Sequence, residues 1–133
     1  MAIADDERPA RSFLRNVLSG FDDVVIVGAA ATGDEALALV EREQPDVLLL
    51  DVQMPGLDGF GLVHMLNGAP RPVVVFVTAF HEYADLAAEV GAIGYLHKPV
   101  SPDELATSLQ QARRRLAEIE ASEHAVALRS DSR

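Results

Sequence analysis

Three carboxylates follow apolar runs that lie far apart in the sequence. Asp5 and Asp6 come directly after Ala2–Ala4, and Asp51 comes directly after Val47–Leu50. A carboxylate can act as a nucleophile and form an acyl phosphate. Carboxylates that are brought close together repel one another, so a cation or a proton must offset their charge. These residues therefore indicate phosphoryl chemistry if the fold brings them together.

A hydroxyl and an ammonium group follow two further apolar runs. Thr78 comes after Val73–Val77, and Lys98 comes shortly after Ile93–Leu96. A lysine can contact a phosphate oxygen as a point charge, and a threonine hydroxyl can donate to another oxygen. Oxygen ligands favour a hard ion, and Mg²⁺ suits a site that keeps waters and binds phosphate. The five residues together predict a magnesium-assisted phosphoryl-transfer site.

Each of these residues taken alone also fits an ordinary structural role. The acidic pair Asp5-Asp6 is typical of turns and helix caps, and Thr78 is a common strand residue. Asp51 fits a turn after a strand, and Lys98 fits a surface position beside a proline. Their shared position at the ends of strands, and not any single residue, favours the functional interpretation.

The elements that must position these residues are short strands that alternate with amphipathic helices. Helix starts are marked by the capping box Thr32 to Glu35 and by the segment 101–104, which reads Ser-Pro-Asp-Glu. Strict alternation predicts an α/β domain with a parallel sheet, in which ligands bind beyond the carboxyl ends of the strands. The predicted strands are Ala2–Ala4, Val24–Gly28, Val47–Leu50, Val73–Val77 and Ile93–Leu96.

Length, charge and composition narrow the class of protein. The sequence has 133 residues, a length typical of one domain, and no cysteine, which excludes disulfides, thiolate zinc sites and cysteine nucleophiles. Its net charge of −10 argues against direct binding of nucleic acid or anionic lipid. No apolar run is long enough to cross a bilayer and no secretion signal is recognisable, so we expect a cytoplasmic location and no membrane partner.

The apolar pattern of the last predicted helix fades near its end. It fits a helix packed on the sheet, the favoured interpretation, or a seam toward a partner or a following domain. Glu123 interrupts the pattern, and from about Ser122 it is lost. We therefore predict a domain over residues 1–121, followed by a tail or linker stub over 122–133. The patterned apolar residues are Leu105, Leu109, Ala112, Leu116 and Ile119.

Over about residues 1–120 the sequence resembles the receiver domains of two-component response regulators. The resemblance implies a flavodoxin-like doubly wound (βα)5 fold with a parallel five-stranded sheet of order 2-1-3-4-5. The segment 77–84 with 91–99 is most similar to receivers that precede LytTR-type DNA-binding domains. The matching stretches are ADDE (4–7), LLLDVQMPGLDG (48–59), VTAF (77–80) and GAIGYLHKP (91–99).

The resemblance implies a role for each acidic residue. Asp51 is expected to be the phosphoacceptor. Asp6 is expected to bind Mg²⁺ directly and Asp5 to bind it through water. The backbone carbonyl of Gln53 completes the expected metal shell.

The resemblance also implies how the phosphoryl group is contacted and sensed. Lys98 is expected to contact the phosphoryl oxygens. Thr78 is the expected switch hydroxyl, and the backbone N–H of Ala79 is expected to touch the phosphoryl group. Tyr95 is the aromatic residue whose rotamer is expected to follow Thr78. The bond from Lys98 to Pro99 is expected to be cis.

Function follows from these roles as an expectation. A sensor histidine kinase or a small phosphodonor would phosphorylate Asp51, and the change would bias a surface formed by the fourth helix, fifth strand and fifth helix. The output would be a homodimer, or control of a transcriptional effector through a C-terminal DNA-binding domain absent from this chain. The four histidines are scattered and predict no metal cluster: His64, His81, His97 and His124.

Two other classes of function remain open. One is an interaction or dimerisation module that is never phosphorylated, although a scaffold has no need of the acidic, hydroxyl and lysine set. The other is an aspartyl-phosphate phosphatase or mutase. Those enzymes place a second aspartate two residues after the nucleophile, where Gln53 stands, so we expect no enzymatic turnover of an external substrate.

Overall fold

The computed structural model describes the backbone of residues 1–131 and the side chains of residues 1–127. Ser132 and Arg133, the last residues of the predicted tail, lie outside the described residues. Strands and helices alternate along the described chain. They are β1 Ala2–Ala4, α1 Arg8–Leu18, β2 Gly28–Ala30, α2 Gly33–Glu43, β3 Val47–Leu50, α3 Gly59–Met65, β4 Val73–Thr78, α4 Ala84–Glu89, β5 Gly94–His97 and α5 Pro102–Asp131.

The five strands form one parallel sheet in the order β2-β1-β3-β4-β5. The predicted doubly wound α/β architecture is confirmed. Alternate residues of the central strands supply two separate cores, as expected for strands buried on both faces. One core packs α1 and α5 on the sheet through residues such as Leu14 and Leu105. The other packs α2, α3 and α4 through residues such as Leu39, Leu62 and Ala87.

Two helices begin where the capping signals predict. The Thr32 hydroxyl accepts from the Glu35 N–H at 3.1 Å, and the Glu35 carboxylate accepts from the Ala31 N–H at 3.2 Å. At α5 the box is reciprocal between Ser101 and Glu104, with distances of 3.1 and 3.2 Å. These hydrogen bonds satisfy N–H groups at the helix N-termini, for which the helix itself provides no acceptor.

The prediction of the second strand over Val24–Gly28 is wrong, because the strand is Gly28–Ala30. The register of β1 and β2 explains the shift. Ala2 is the first residue of β1 and pairs with Gly28, so the residues before Gly28 have only Met1 of that chain segment beside them. The Val27 N–H donates to the Met1 carbonyl at 2.8 Å, and no strand extends further. The apolar run drew the prediction, yet Val25 is 71% exposed.

Helix α5 continues past the predicted end of the pattern at Ser122 and runs to Asp131. Leu105, Leu109 and Ala112 are buried against the sheet, which confirms the packing interpretation of the apolar stripe. The carboxylate of Glu123, which interrupts the stripe, accepts a hydrogen bond from each of the two terminal guanidinium nitrogens of Arg71, both at 2.9 Å. The helix therefore carries the chain across the predicted domain boundary without a break.

A helix that crosses a bilayer must be both long and predominantly apolar. Within residues 1–131, no helix is both long and apolar enough to span a membrane.

Candidate functional site

The carboxyl ends of β1, β3, β4 and β5 bring four of the predicted residues together. The Lys98 ammonium lies 2.7 Å from Oδ2 of Asp5 and 3.1 Å from Oδ2 of Asp51. Asp5 is 1% exposed and Asp51 is 5% exposed, while the Thr78 residue is fully buried. The convergence predicted from strand order is therefore confirmed for these residues.

Backbone hydrogen bonds between strands hold the two buried carboxylates in place. The Asp51 N–H donates to the Ala4 carbonyl at 2.9 Å, and the Asp5 N–H donates to the Ala30 carbonyl at 3.0 Å. The start of helix α3 packs closely against the end of β3. A Cβ on Gly59 would lie only 2.4 Å from the Asp51 carbonyl oxygen, so only glycine fits there. The loop after β3 is thereby folded tightly around the carboxylate.

A fourth carboxylate, Glu7, belongs to the cluster, and sequence reasoning missed it. One oxygen from each of Asp5, Asp6, Glu7 and Asp51 lies within 4.8 Å of the others. The Glu7 carboxylate is 3.7 Å from the Lys98 ammonium, and the Glu7 N–H donates to Oδ1 of Asp5 at 2.9 Å. Its position directly after the acidic pair, at the start of α1, is the signal that was available.

The donor set fits Mg²⁺. Oδ2 of Asp5 is buried and has no hydrogen bond among the described residues, and its contact with Lys98 is an ion pair. Asp6, by contrast, is exposed at the rim, where a coordinated ion would keep its waters. Carboxylate oxygens in this number suit a hard divalent cation. The arrangement therefore has both the charge and the open side that such an ion requires.

Burial and charge shift two pKa values in the site. Burial raises the pKa of the Asp51 carboxyl, and the neighbouring Asp5 adds to the effect, against the opposing influence of Lys98. Burial lowers the pKa of the Lys98 ammonium, but Asp5 and Asp51 outweigh it, so that the net shift is upward. Lys98 therefore stays charged at neutral pH, and ionised Asp51 is held at a cost to folding.

We expect Asp51→Asn to raise the free energy of unfolding at pH 7, because the amide removes a charge that is buried beside Asp5. A carboxyl whose pKa is raised on folding favours the folded state at low pH, and this contribution is lost as the pH rises through the raised value. The difference between wild type and variant should thus shrink as the pH falls toward the ordinary aspartate pKa of 3.8. Urea unfolding at several pH values measures it.

The control for this prediction is Asp22→Asn. Asp22 is exposed in the loop after α1, at the opposite end of the sheet, so the same chemical change should leave stability within about 0.5 kcal/mol of wild type. A fall in stability for Asp51→Asn at pH 7 would contradict the charge balance described above.

The hydroxyl and the loop that follows it lie beside the carboxylate. Thr78 ends β4, and its hydroxyl oxygen accepts from the Phe80 N–H at 3.3 Å. The Lys98 N–H donates to the Thr78 carbonyl at 2.8 Å, which aligns the ends of β4 and β5. Ala79, the next residue, is exposed at the rim.

Side chains of β5 contact this loop. The Tyr95 hydroxyl donates to the Phe80 carbonyl, and its ring lies 6.4 Å from that of Phe76 between centroids. The Lys98-Pro99 bond is cis, as predicted. His97, to which sequence reasoning gave no role, bonds through Nε2 to the Ala79 carbonyl at 2.9 Å. The signal that was missed is its spacing of two from Tyr95 on one strand.

The sheet order, the acidic cluster and the lysine define a class of protein. Residues 1–110 match the family model of the response regulator receiver domain, and the chain belongs to that family. It is therefore a receiver domain, the signal-receiving module of two-component systems, with the flavodoxin-like fold.

Two regulatory proteins are similar to this chain in sequence. The transcriptional regulatory protein BtsR of Salmonella typhi is 47% identical over 111 residues, which are 84% of this chain and 46% of that protein. The positive alginate biosynthesis regulatory protein of Pseudomonas aeruginosa is 44% identical, with the same shares of 84% and 46%. This chain thus spans about half the length of the curated relatives it matches.

A solved structure agrees with the fold. The REC domain of AraT, a response regulator from Geobacillus stearothermophilus, superposes with a TM-score of 0.80 at 30% sequence identity. The superposition covers 90% of this chain and 95% of that one.

Proposed function

We propose that this receiver is a phosphorylation-gated switch in which Asp51 accepts a phosphoryl group from a histidine kinase or a small phosphodonor. The single observation that carries the proposal is the buried Asp51 carboxylate, held between a lysine ammonium and further carboxylates at the open end of the sheet. A structural ion pair needs one carboxylate for its lysine, and this site provides several.

The residues that would hold Mg²⁺ are Asp6, Asp51 and the backbone carbonyl of Gln53, with Asp5 acting through water. When bound, the ion offsets the negative charge of the transferring phosphoryl oxygens. Its other requirement, a site open to water, is supported by the exposure of Asp6 and Gln53.

The chain's own groups perform the transfer. A carboxylate oxygen of Asp51 forms a bond to phosphorus, while the bond from phosphorus to the donor breaks and the leaving group departs with its electron pair. Lys98 is then in reach of the new phosphoryl oxygens, while Asp5 keeps its ammonium at the site. The Thr78 hydroxyl and the Ala79 N–H donate to the same oxygens, and Tyr95 follows the movement of Thr78.

The output is placed on the surface formed by α4, β5 and α5. Tyr95 lies in β5 and contacts the β4–α4 loop, so a shift of Thr78 reaches this surface directly. Control of a DNA-binding domain beyond α5 is supported by the transcriptional regulators among the relatives. The LytTR type of that domain follows from the resemblance of segments 77–84 and 91–99, and homodimer formation on the same surface is the second proposed output. The net charge of −10 leaves DNA contact to that other domain. We place the protein in the cytoplasm with its kinase partner.

Beryllofluoride, which mimics the phosphoryl group, tests the proposal. Mg²⁺ and beryllofluoride together should raise the free energy of unfolding by about 2.7 kcal/mol at one hundred times their dissociation constant. Either addition alone should give clearly less, and Asp51→Asn should abolish the joint effect. Thermal and urea unfolding measure it.

A folded wild-type chain that gains no stability from the pair would contradict the proposal. That result would favour the alternative, an interaction or dimerisation module without phosphorylation.

A further inference from the structure

Two side chains of β5 hold successive carbonyls of the loop that follows β4. Tyr95 donates to the carbonyl of Phe80, and His97 bonds to the carbonyl of Ala79 at 2.9 Å. Residues two apart on a strand point to the same face of a sheet, so both side chains reach the loop from one side. The loop is thus attached to β5 at two consecutive peptide units.

The chemistry of the His97 bond is defined by its partner. A carbonyl oxygen only accepts hydrogen bonds, so Nε2 of His97 must carry the proton and donate it. His81 follows Phe80 in the same loop. Its ring lies 5.3 Å from the His97 ring between centroids, and the two rings meet edge to face. Among the described residues, His97 therefore has a defined position although its side chain is exposed.

One of the attached peptide units, between Ala79 and Phe80, also contacts the hydroxyl that the proposed function uses. Thr78 pairs with His97 in the register of β4 and β5, so the two residues are direct neighbours across the two strands. The Phe80 N–H donates to the Thr78 hydroxyl, and Leu50, directly before Asp51, pairs with Phe76, two residues before Thr78 on the adjoining strand. The loop arrangement held by β5 is therefore one in which the hydroxyl is next to the phosphoacceptor.

We propose that His97 is a positioning residue for the phosphoryl site: it holds the Ala79 carbonyl and, in the same peptide unit, the Phe80 N–H that bonds to the Thr78 hydroxyl, so that this hydroxyl faces Asp51. This inference rests on the proposed function, because it assigns His97 a part in binding the phosphoryl group. His97 contacts neither the carboxylate nor the metal ligands, and it acts through the loop backbone.

The test compares His97→Leu, which has no donor, with His97→Gln, whose side-chain amide can donate in place of Nε2. The apparent dissociation constant of beryllofluoride at saturating Mg²⁺ should rise about fivefold in His97→Leu, as expected for the loss of one hydrogen bond. In His97→Gln it should stay within about twofold of wild type. His64→Leu, at an exposed position of α3, is the matched control and should leave it unchanged.

A second readout reports on the loop itself. Amide hydrogen exchange of Ala79 and Phe80 should be faster in His97→Leu than in wild type and restored in His97→Gln. Exchange is measured without beryllofluoride, so it reports on the loop whether or not the protein binds this phosphoryl mimic.

The outcomes separate the two proposals. If wild type fails to bind beryllofluoride, the proposed function fails, and exchange alone then decides whether His97 holds the loop. If wild type binds it and His97→Leu, shown to be folded by circular dichroism, binds equally well, the inference about His97 is overturned. Equal weakening in His97→Leu and His97→Gln would overturn the role of the donated hydrogen bond.

Discussion

Lys98→Met is expected to lower the free energy of unfolding by about 3 kcal/mol in Mg²⁺-free solution. The Lys98 side chain is only 18% exposed, and it balances the buried carboxylates of Asp5 and Asp51. Removing one partner of a buried ion pair leaves the other charge uncompensated, and the cost is at the low end of the 3–5 kcal/mol range because one side of the site is open. Methionine preserves the apolar stem, so packing changes little.

Urea unfolding in the presence of a chelator measures this loss, and added Mg²⁺ should recover part of it by supplying positive charge to the same oxygens. Arg114→Met, at an exposed position of α5, removes one positive charge elsewhere and should cost less than about 0.5 kcal/mol. The stabilisation by Lys98 is fully present below its ordinary pKa of 10.5 and is lost as the pH rises through its raised value. A variant as stable as wild type would show that the carboxylates are neutralised in another way.

Asp51→Asn is expected to reduce phosphoryl incorporation to below about one hundredth of the wild-type rate. The nucleophile is a carboxylate oxygen, and an amide in its place is a much weaker nucleophile. The variant keeps the size and shape of the side chain, and urea unfolding of the same preparation shows whether it is folded. Asp22→Asn, which makes the same change at an exposed position away from the cluster, should incorporate phosphoryl at the wild-type rate.

The central strands could be predicted from sequence because they are continuous apolar runs. β3 has the predicted bounds, β4 ends one residue later than predicted, and β5 is shifted by one residue. β2 could not be found in this way, because it consists of one glycine and two alanines and is defined by pairing with β1. Glycine and alanine have low strand propensity, so the composition of this segment does not indicate a strand. Its position is set by pairing with β1.

The main residues of the site could be predicted because strand order alone brings strand ends together. Asp5, Asp51, Thr78 and Lys98 needed only the parallel topology to converge. Glu7 and His97 needed more, since their contacts depend on where α1 begins and on which face of β5 a side chain lies. The sequence shows that Glu7 follows the acidic pair and that His97 lies two residues after Tyr95. It does not show which groups these two side chains contact.

The end of α5 shows a further limit. The apolar pattern stops near Ser122, where a tail or linker stub was predicted, and the helix continues through this segment to Asp131. Arg71 supports the continuation by binding Glu123 from 52 positions away in the sequence. Such a long-range ion pair leaves no periodic signal in the sequence around the helix.

The measurement that tests the central claim most directly is intact mass spectrometry after incubation with acetyl phosphate, with and without Mg²⁺. We predict one added phosphoryl group that requires Mg²⁺, is removed by hydroxylamine as an acyl phosphate should be, and is absent from Asp51→Asn. An adduct that persists in Asp51→Asn would contradict the assignment of the phosphoacceptor. A folded wild-type chain that binds Mg²⁺ but gains no phosphoryl group, from acetyl phosphate or from a phosphorylated histidine kinase, would contradict the switch itself.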